Sequence, residues 1–167
     1  MEVYLAASIA GGRMNQDIVS GLLTFLKERG HSVLDWFVAA PSDWRDAFRE
    51  NVGFSEDAWE AMSPEERRQL GLKQEEQWIE KASCLIAEVS AKGSYGVGGE
   101  IHHASLKPRL GLAFTPVLCL YDRNGGEPTS TWIRGRNPEC VWLRSYSSSE
   151  EVKQIVLEFF GAFHLES

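Results

Sequence analysis

Two glutamates stand where a carboxylate can do more than face water. The first is Glu100, which closes the run Ser94-Tyr95-Gly96-Val97-Gly98-Gly99-Glu100. That run follows the apolar segment Cys84–Val89 and reads as a buried strand, a glycine-rich turn, then a helix whose first turn carries the carboxylate. In open α/β sheets this order sets the residue in the crevice at the carboxyl ends of the strands, where ligands bind. Gly96 and Gly98 let the backbone approach a ligand closely, and helix N-terminal amides favour an anion. The same amides are expected to keep Glu100 ionised, as a nucleophile or base must be. A carboxylate in this place can also do no more than complement the helix dipole.

The second is Glu75. Leu72, Glu75, Ile79 and Ala82 recur at spacings of three and four, with Trp78 beside them. Glu75 therefore shares the inward face, whereas Glu76, Gln77, Glu80 and Lys81 look outward. A carboxylate turned inward needs a partner or a task, because burying an unpaired charge is costly. Partial desolvation raises its pKa and suits it to donate a proton near neutrality. At the edge of the stripe it would instead reach water. One ionised and one proton-bearing carboxyl in a single pocket form the constellation that cleaves glycosidic bonds.

The elements that must hold these groups alternate between strand and helix. Strands are expected at Glu2–Ala7, Ser32–Ala40, Cys84–Val89, Pro116–Tyr121 and Cys140–Tyr146. Helices are expected at Asp17–Arg29, Gly98–Leu106 and Glu150–Phe163, each with an apolar face at helical spacing. The pattern implies an α/β protein of Rossmann or flavodoxin-like type, with a five-stranded parallel sheet flanked by helices. No linker divides residues 1–167 into two domains. Residues 41–72 are too long for a plain connection and read as a helical insertion of three short helices, 43–50, 55–62 and 63–72. In the last, Ser63-Pro64-Glu65-Glu66 has the form of a capping box with proline at the first helical position. Trp44, Phe48, Phe54 and Trp59 make this insertion either a lid over the pocket, a packed excursion or a subunit contact.

Composition narrows the function classes. A hydrophobic content of 43% with 25% charged residues describes a soluble globular chain. The net charge of −7 argues against a nucleic-acid surface, although a few amides and hydroxyls can still hold a small anion. No apolar run approaches the roughly 20 residues of a membrane helix, and no signal-peptide pattern precedes the first strand. Cys84, Cys119 and Cys140 read as reduced thiols of a cytoplasmic protein. His102 and His103 lack the spacing of a zinc helix, so no metal or other cofactor is expected.

Three ordered motifs carry a resemblance. Tyr4 through Arg13, Tyr-Leu-Ala-Ala-Ser-Ile-Ala-Gly-Gly-Arg, resembles the opening of the 2′-deoxynucleoside 5′-phosphate N-hydrolases, within the nucleoside 2-deoxyribosyltransferase superfamily. Ile86-Ala87-Glu88-Val89-Ser90 with Ser94-x-Gly-Val-Gly-x-Glu100 resembles the second motif, and Ser130-Thr131-Trp132-Ile133-Arg134-Gly135 the third. The resemblance spans most of the chain except Pro41–Leu72. It implies that Glu100 attacks the anomeric carbon, that Glu75 protonates the leaving base and that Tyr4 orients the nucleophile. It further implies that Ala7, Ser8, Ile9, Gly11 and Gly12 line the sugar and phosphate site, with Gly96 and Gly98 opposite. Ser94 would bind the 5′-phosphate, and Ser130 would reach that phosphate from the neighbouring subunit of a homodimer. The implied activity is N-glycosidic hydrolysis of a nucleoside 5′-monophosphate. Transfer of the sugar to a second base, or nucleotide binding without catalysis, are the alternatives.

The chain departs from the family pattern at informative places. Ala10 stands where the family has Arg, which removes a charge-assisted phosphate contact unless Arg13 substitutes. Ala7 replaces Gly, and Gly99 replaces Tyr. Trp36-Phe37 replaces a Glu-His pair, so Phe37 would offer stacking to the base where the family offers polar contacts. Glu75 replaces Asp and is longer by one methylene.

Overall fold

The computed structural model describes residues 1–7, 15–39, 44–90, 95–126, 133 and 139–165. The side chains of residues 37, 44 and 95 are outside that description. Five strands form one sheet: β1 (Glu2–Ala6), β2 (Ser32–Val33), β3 (Cys84–Glu88), β4 (Val117–Asp122) and β5 (Val141–Tyr146). Their order is β2-β1-β3-β4-β5 and every pairing is parallel. Six helices are named here: α1 (Gln16–Glu28), α2 (Trp44–Asn51), α3 (Glu56–Ala61), α4 (Pro64–Lys81), α5 (Tyr95–Leu106) and α6 (Ser149–Ala162). After β1 the chain turns to one side of the sheet, and after β3 to the other. The carboxyl ends of β1 and β3 therefore flank the topological switch point, the usual ligand crevice of such sheets.

Strand alternation splits the core in two. Val3, Leu5, Ile86 and Leu118 pack under α1 and α6, against Leu22, Leu26, Val156, Phe159 and Phe160. Tyr4, Ala6, Leu85 and Ala87 pack under α4 and α5, against Trp78, Ile79, Val97, Ile101 and Ala104. Burial on both faces explains why β3 reads as a continuous apolar run rather than an alternation.

Three expectations are corrected. The second strand ends at Val33 instead of Ala40, and Trp36–Ala39 is a 3₁₀ turn. β2 is an edge strand with two register pairs to β1, and the apolar residues beyond it gain more by packing: Val38 and Ala39 are buried beneath α1. The helix expected to stop at Leu72 runs on to Lys81, because nothing after the Ser63/Glu66 capping box interrupts it. Leu72 itself is exposed rather than inward. Within the 41–72 stretch, Phe48 is buried and meets both Trp59 and Trp78 edge-on, so this stretch packs onto α4.

Lys107 fixes the far end of that layer. Its side chain is fully buried just past α5, where Nζ donates to the carbonyls of Ile79, Glu80 and Ala82 at 3.0, 2.8 and 3.3 Å and to Thr115 Oγ1 at 2.5 Å. The last carbonyls of α4 have no partner within their own helix and carry the negative end of its dipole, so a buried cation belongs there.

Candidate active site

Tyr4 lies in β1, one of the two strands that flank the switch point, and points to the α4/α5 side. It is fully buried, and its hydroxyl donates to Glu100 Oε1 at 3.1 Å. Glu100 comes from α5, whose inward residues Val97, Ile101 and Ala104 follow the helical period. Glu100 falls three residues after Val97 and four before Ala104, which turns it to the same face. Its Oε2 is shut from solvent and has no hydrogen-bond partner among the described residues. Glu75 approaches from α4, half-buried, with Glu76, Gln77, Glu80 and Lys81 exposed as expected. Tyr4, Glu75 and Glu100 are thus brought together from three elements.

Electrostatics in this pocket run against one expectation. α5 begins at Tyr95, so Glu100 is in its second turn, and the first turn carries no acidic residue. Gly96, Gly98 and Gly99 belong to the helix rather than to a turn before it. The helix dipole acts within the first turn and does little for Glu100. Burial, reinforced by the charge of Glu75, instead pushes the Glu100 carboxyl up to about 8, and the Tyr4 hydrogen bond offsets this only in part. Glu75 is also raised, by desolvation and then by Glu76, as a proton donor requires. Tyr4 is raised far beyond the ordinary phenol range by burial and the carboxylates around it, so it serves only as a neutral donor.

A fourth group was not foreseen. Asp35, 3% exposed, lies close enough to this cluster to feel the charges of Glu100 and Glu75. Burial holds its carboxyl well above the usual range. In an extended strand Asp35 would be one of several alternating positions; the turn that replaces the strand is what swings it inward. A lone carboxylate between Leu34 and Trp36 is the signal that could have marked it.

The other expected residues divide. Ala7 is half-buried just beyond β1, Gly98 is half-buried and Gly96 exposed. Phe37 falls in the 3₁₀ turn, with its side chain outside the description. Ser8, Ile9, Ala10, Gly11, Gly12, Arg13, Ser94 and Ser130 lie outside the described residues. Among the described residues no group of three or more His, Cys, Asp or Glu could hold a metal ion. Burial raises the thiols of Cys84 and Cys119 to about 12, which leaves them unreactive.

On the opposite side of the sheet, the loops that follow the strands are tied together. Glu88 Oε1 accepts from Asn15 Nδ2 at 3.1 Å, from Tyr146 Oη at 3.0 Å and from the Ser90 hydroxyl. Ser90 Oγ in turn accepts from the Asp122 amide at 2.9 Å.

Comparison with known proteins places this arrangement. A protein of Methanosarcina mazei named "Putative 2'-deoxynucleoside 5'-phosphate N-hydrolase 1" is 32% identical over 96% of this chain and 84% of its own length. The chain belongs to the 2′-deoxynucleoside 5′-phosphate N-hydrolase family. The "5-hydroxymethyl-dUMP N-hydrolase" of Mus musculus is 31% identical over 96% of this chain and 80% of its own length. Among solved structures, the Clostridium botulinum CMP N-glycosidase BcmB aligns with a TM-score of 0.59 at 20% identity. The alignment covers 95% of this chain and 99% of that one. At that identity the likeness supports the fold: the five-stranded parallel sheet is that of a known N-glycosidase. No family model matches the chain. Membership puts the Tyr4–Glu100 pair in a family of N-hydrolases, with a glutamate on α5 whose buried second oxygen has no partner among the described residues. Among the described residues no helix is long and apolar enough to cross a membrane.

Proposed function

We propose that this chain hydrolyses the N-glycosidic bond of a nucleoside 5′-monophosphate, with a 2′-deoxy sugar preferred, to free base and sugar 5-phosphate. The observation that carries the reading is the pair Tyr4–Glu100 beside the switch point, with Oε1 held by the phenol and Oε2 unpartnered among the described residues. The relatives named as nucleotide N-hydrolases support the substrate class. In the proposed reaction Glu100 Oε2 bonds to C1′ while the C1′–N bond breaks, and its electron pair leaves with the base. Glu75 supplies the proton that makes the base a neutral leaving group. Water then attacks C1′ of the ester and passes a proton to the Glu75 carboxylate, which releases sugar phosphate and restores both the Glu100 carboxylate and the Glu75 acid. Ser8, Ile9, Gly11, Gly12 and Ser94 would hold the sugar and phosphate, with Ser130 supplied by the second subunit of a cytoplasmic homodimer.

The test is release of free base, followed by chromatography, from a panel of nucleosides and their 5′-monophosphates. A 5′-monophosphate should be cleaved faster than its nucleoside, and a fluorinated slow substrate should leave its sugar on Glu100. Equal rates would remove the phosphate assignment, and an adduct on Glu75 would exchange the two roles. A new nucleoside formed from an added free base would make the protein a transferase. Full activity from a monomer in sedimentation would rule out the shared site.

A further inference from the structure

Asn15 occupies the N-cap position of α1, where asparagine is among the best capping residues. Its side chain nevertheless makes no cap bond. Its backbone is left-handed, with φ 61° and ψ 31°, a conformation that asparagine tolerates better than most residues. The side chain reaches instead to the end of β3. There Nδ2 donates to Glu88 Oε1 and to Ser90 Oγ, each at 3.1 Å, which commits both amide protons. Ser90 is equally committed. Its hydroxyl donates to Glu88 Oε1, and its oxygen accepts from Asn15 and from the Asp122 amide at 2.9 Å. Tyr146, at the end of β5, donates to the same Glu88 oxygen at 3.0 Å. Glu88 and Ser90 are both buried.

Chain position gives this network a bearing on substrate. Asn15 directly follows residues 8–14, and Ser90 directly precedes residues 91–94. Under the proposed function those two stretches supply Ser8, Ile9, Gly11, Gly12 and Ser94 to the sugar and phosphate. Both stretches are therefore rooted on one carboxylate. Tyr146 differs, since two residues after it α6 begins and no residue assigned to substrate adjoins it. We propose that Glu88 is a positioning residue for the 5′-phosphate, holding Asn15 and Ser90, the roots of both stretches, at a fixed spacing. The proposal rests on the reading of those stretches as the phosphate site. Glu88 acts through its two partners and not on the substrate. Donors stabilise an anion when they are fixed around it beforehand, so displacing either root weakens phosphate binding first. Glu75 and Glu100, on the other side of the sheet, keep their places.

The test compares a 5′-monophosphate with its own nucleoside, because loss of fold alone lowers both rates together. Asn15→Gly keeps the left-handed backbone without strain and deletes the amide. It should raise KM for the monophosphate about tenfold or more, with its kcat and both nucleoside constants changed less than about twofold. Glu88→Ala should show the same selective rise, and Glu88→Gln, which keeps an acceptor oxygen, should restore most of it. Tyr146→Phe removes a donor from the same oxygen; it should lower Tm and leave the ratio of the two KM values unchanged. Equal losses on both substrates, an unchanged monophosphate KM in Asn15→Gly, or a ratio shifted as far by Tyr146→Phe would each overturn the proposal. Should no nucleotide release its base, the proposed reaction fails, and calorimetric Kd values for a panel of monophosphates and nucleosides replace KM. Tighter wild-type binding of the monophosphate that Asn15→Gly selectively weakens would support the positioning role, and any other outcome would overturn it.

Discussion

Glu88 and Glu100 sit near the carboxyl ends of this sheet, one on each face, and they are provided for in opposite ways. Glu88 has an oxygen that accepts from Asn15, Ser90 and Tyr146, so residues just before α1, just after β3 and at the end of β5 converge on one satisfied group. Among the described residues Glu100 has one donor, Tyr4, an unpartnered second oxygen and the charge of Glu75 nearby. A satisfied carboxylate holds a fold together. An unsatisfied one costs stability and is retained where that cost is offset by chemistry. Under the proposed function, the two faces of one sheet thus divide holding from working.

The widest separation between them should come from removing each acid. Glu100→Gln keeps shape and polarity but cannot form a glycosyl ester, so base release should fall by orders of magnitude on every substrate. The same change should stabilise the fold at alkaline pH. The folded-state pKa of Glu100 is raised from 4.5 to about 8, so its neutral form is the one that folding favours. Its contribution is whole below about 4.5 and is lost as pH rises through about 8. The melting temperature of Glu100→Gln should therefore match wild type near pH 4.5 and exceed it at pH 9. Glu88→Ala should do the reverse: every buried donor left without its acceptor costs about 1–3 kcal/mol. That loss would appear as a lower urea midpoint at unchanged slope. If Glu88→Ala were neutral, or Glu100→Gln destabilising at pH 9, the division between the faces would fail.

A second contrast lies within the working face. Glu75→Gln removes only proton donation, which is typically worth about 10²–10⁴-fold, and a substrate with an activated leaving base should recover much of it. Rates measured on a good and a poor leaving group distinguish this from the uniform loss expected for Glu100→Gln. Below about pH 8, kcat/KM should rise about tenfold per pH unit as Glu100 ionises, then level off. A profile flat from pH 5 to 8 would mean that Glu100 is already ionised in the free protein.

The smallest effect concerns the glycines of α5. A Cβ added at Gly98 or Gly99 meets nothing within 4 Å, and both residues are helical. Alanine at either should stabilise by about 0.5–1 kcal/mol. Gly99 is exposed, so Gly99→Ala should leave KM alone, whereas Gly98→Ala, half-buried near Glu100, should raise it. Equal KM in both variants would mean that substrate does not approach the helix backbone.

Legibility in the sequence followed the same physics. β1, β3 and β4 could be read directly because burial on both faces leaves a run of apolar residues that nothing else explains. The inward turn of Glu75 could be read because its outward neighbours are all charged or polar. Asp35 could not, since its orientation depends on β2 giving way to a turn after Val33, a choice made by Val38 and Ala39 packing under α1. The ionisation of Glu100 was misjudged for a local reason: three glycines suggested a turn, whereas the helix already includes them and places the glutamate one turn deeper. Burial then outweighs the dipole.

The buried lysine at the end of α5 has a consequence for how this pocket can vary. Lys107 binds the final carbonyls of α4 and so joins, at their feet, the two helices that bear Glu75 and Glu100. The helices behave as the arms of a pair of tongs riveted at the base. Under the proposed function, their other ends, with residues 44–63 and the glycine-rich start of α5, are where sequence can change to admit one base or exclude another. On that reading, the span between the two acids is gauged from the rivet, and substrate choice at the far ends is open to change apart from it.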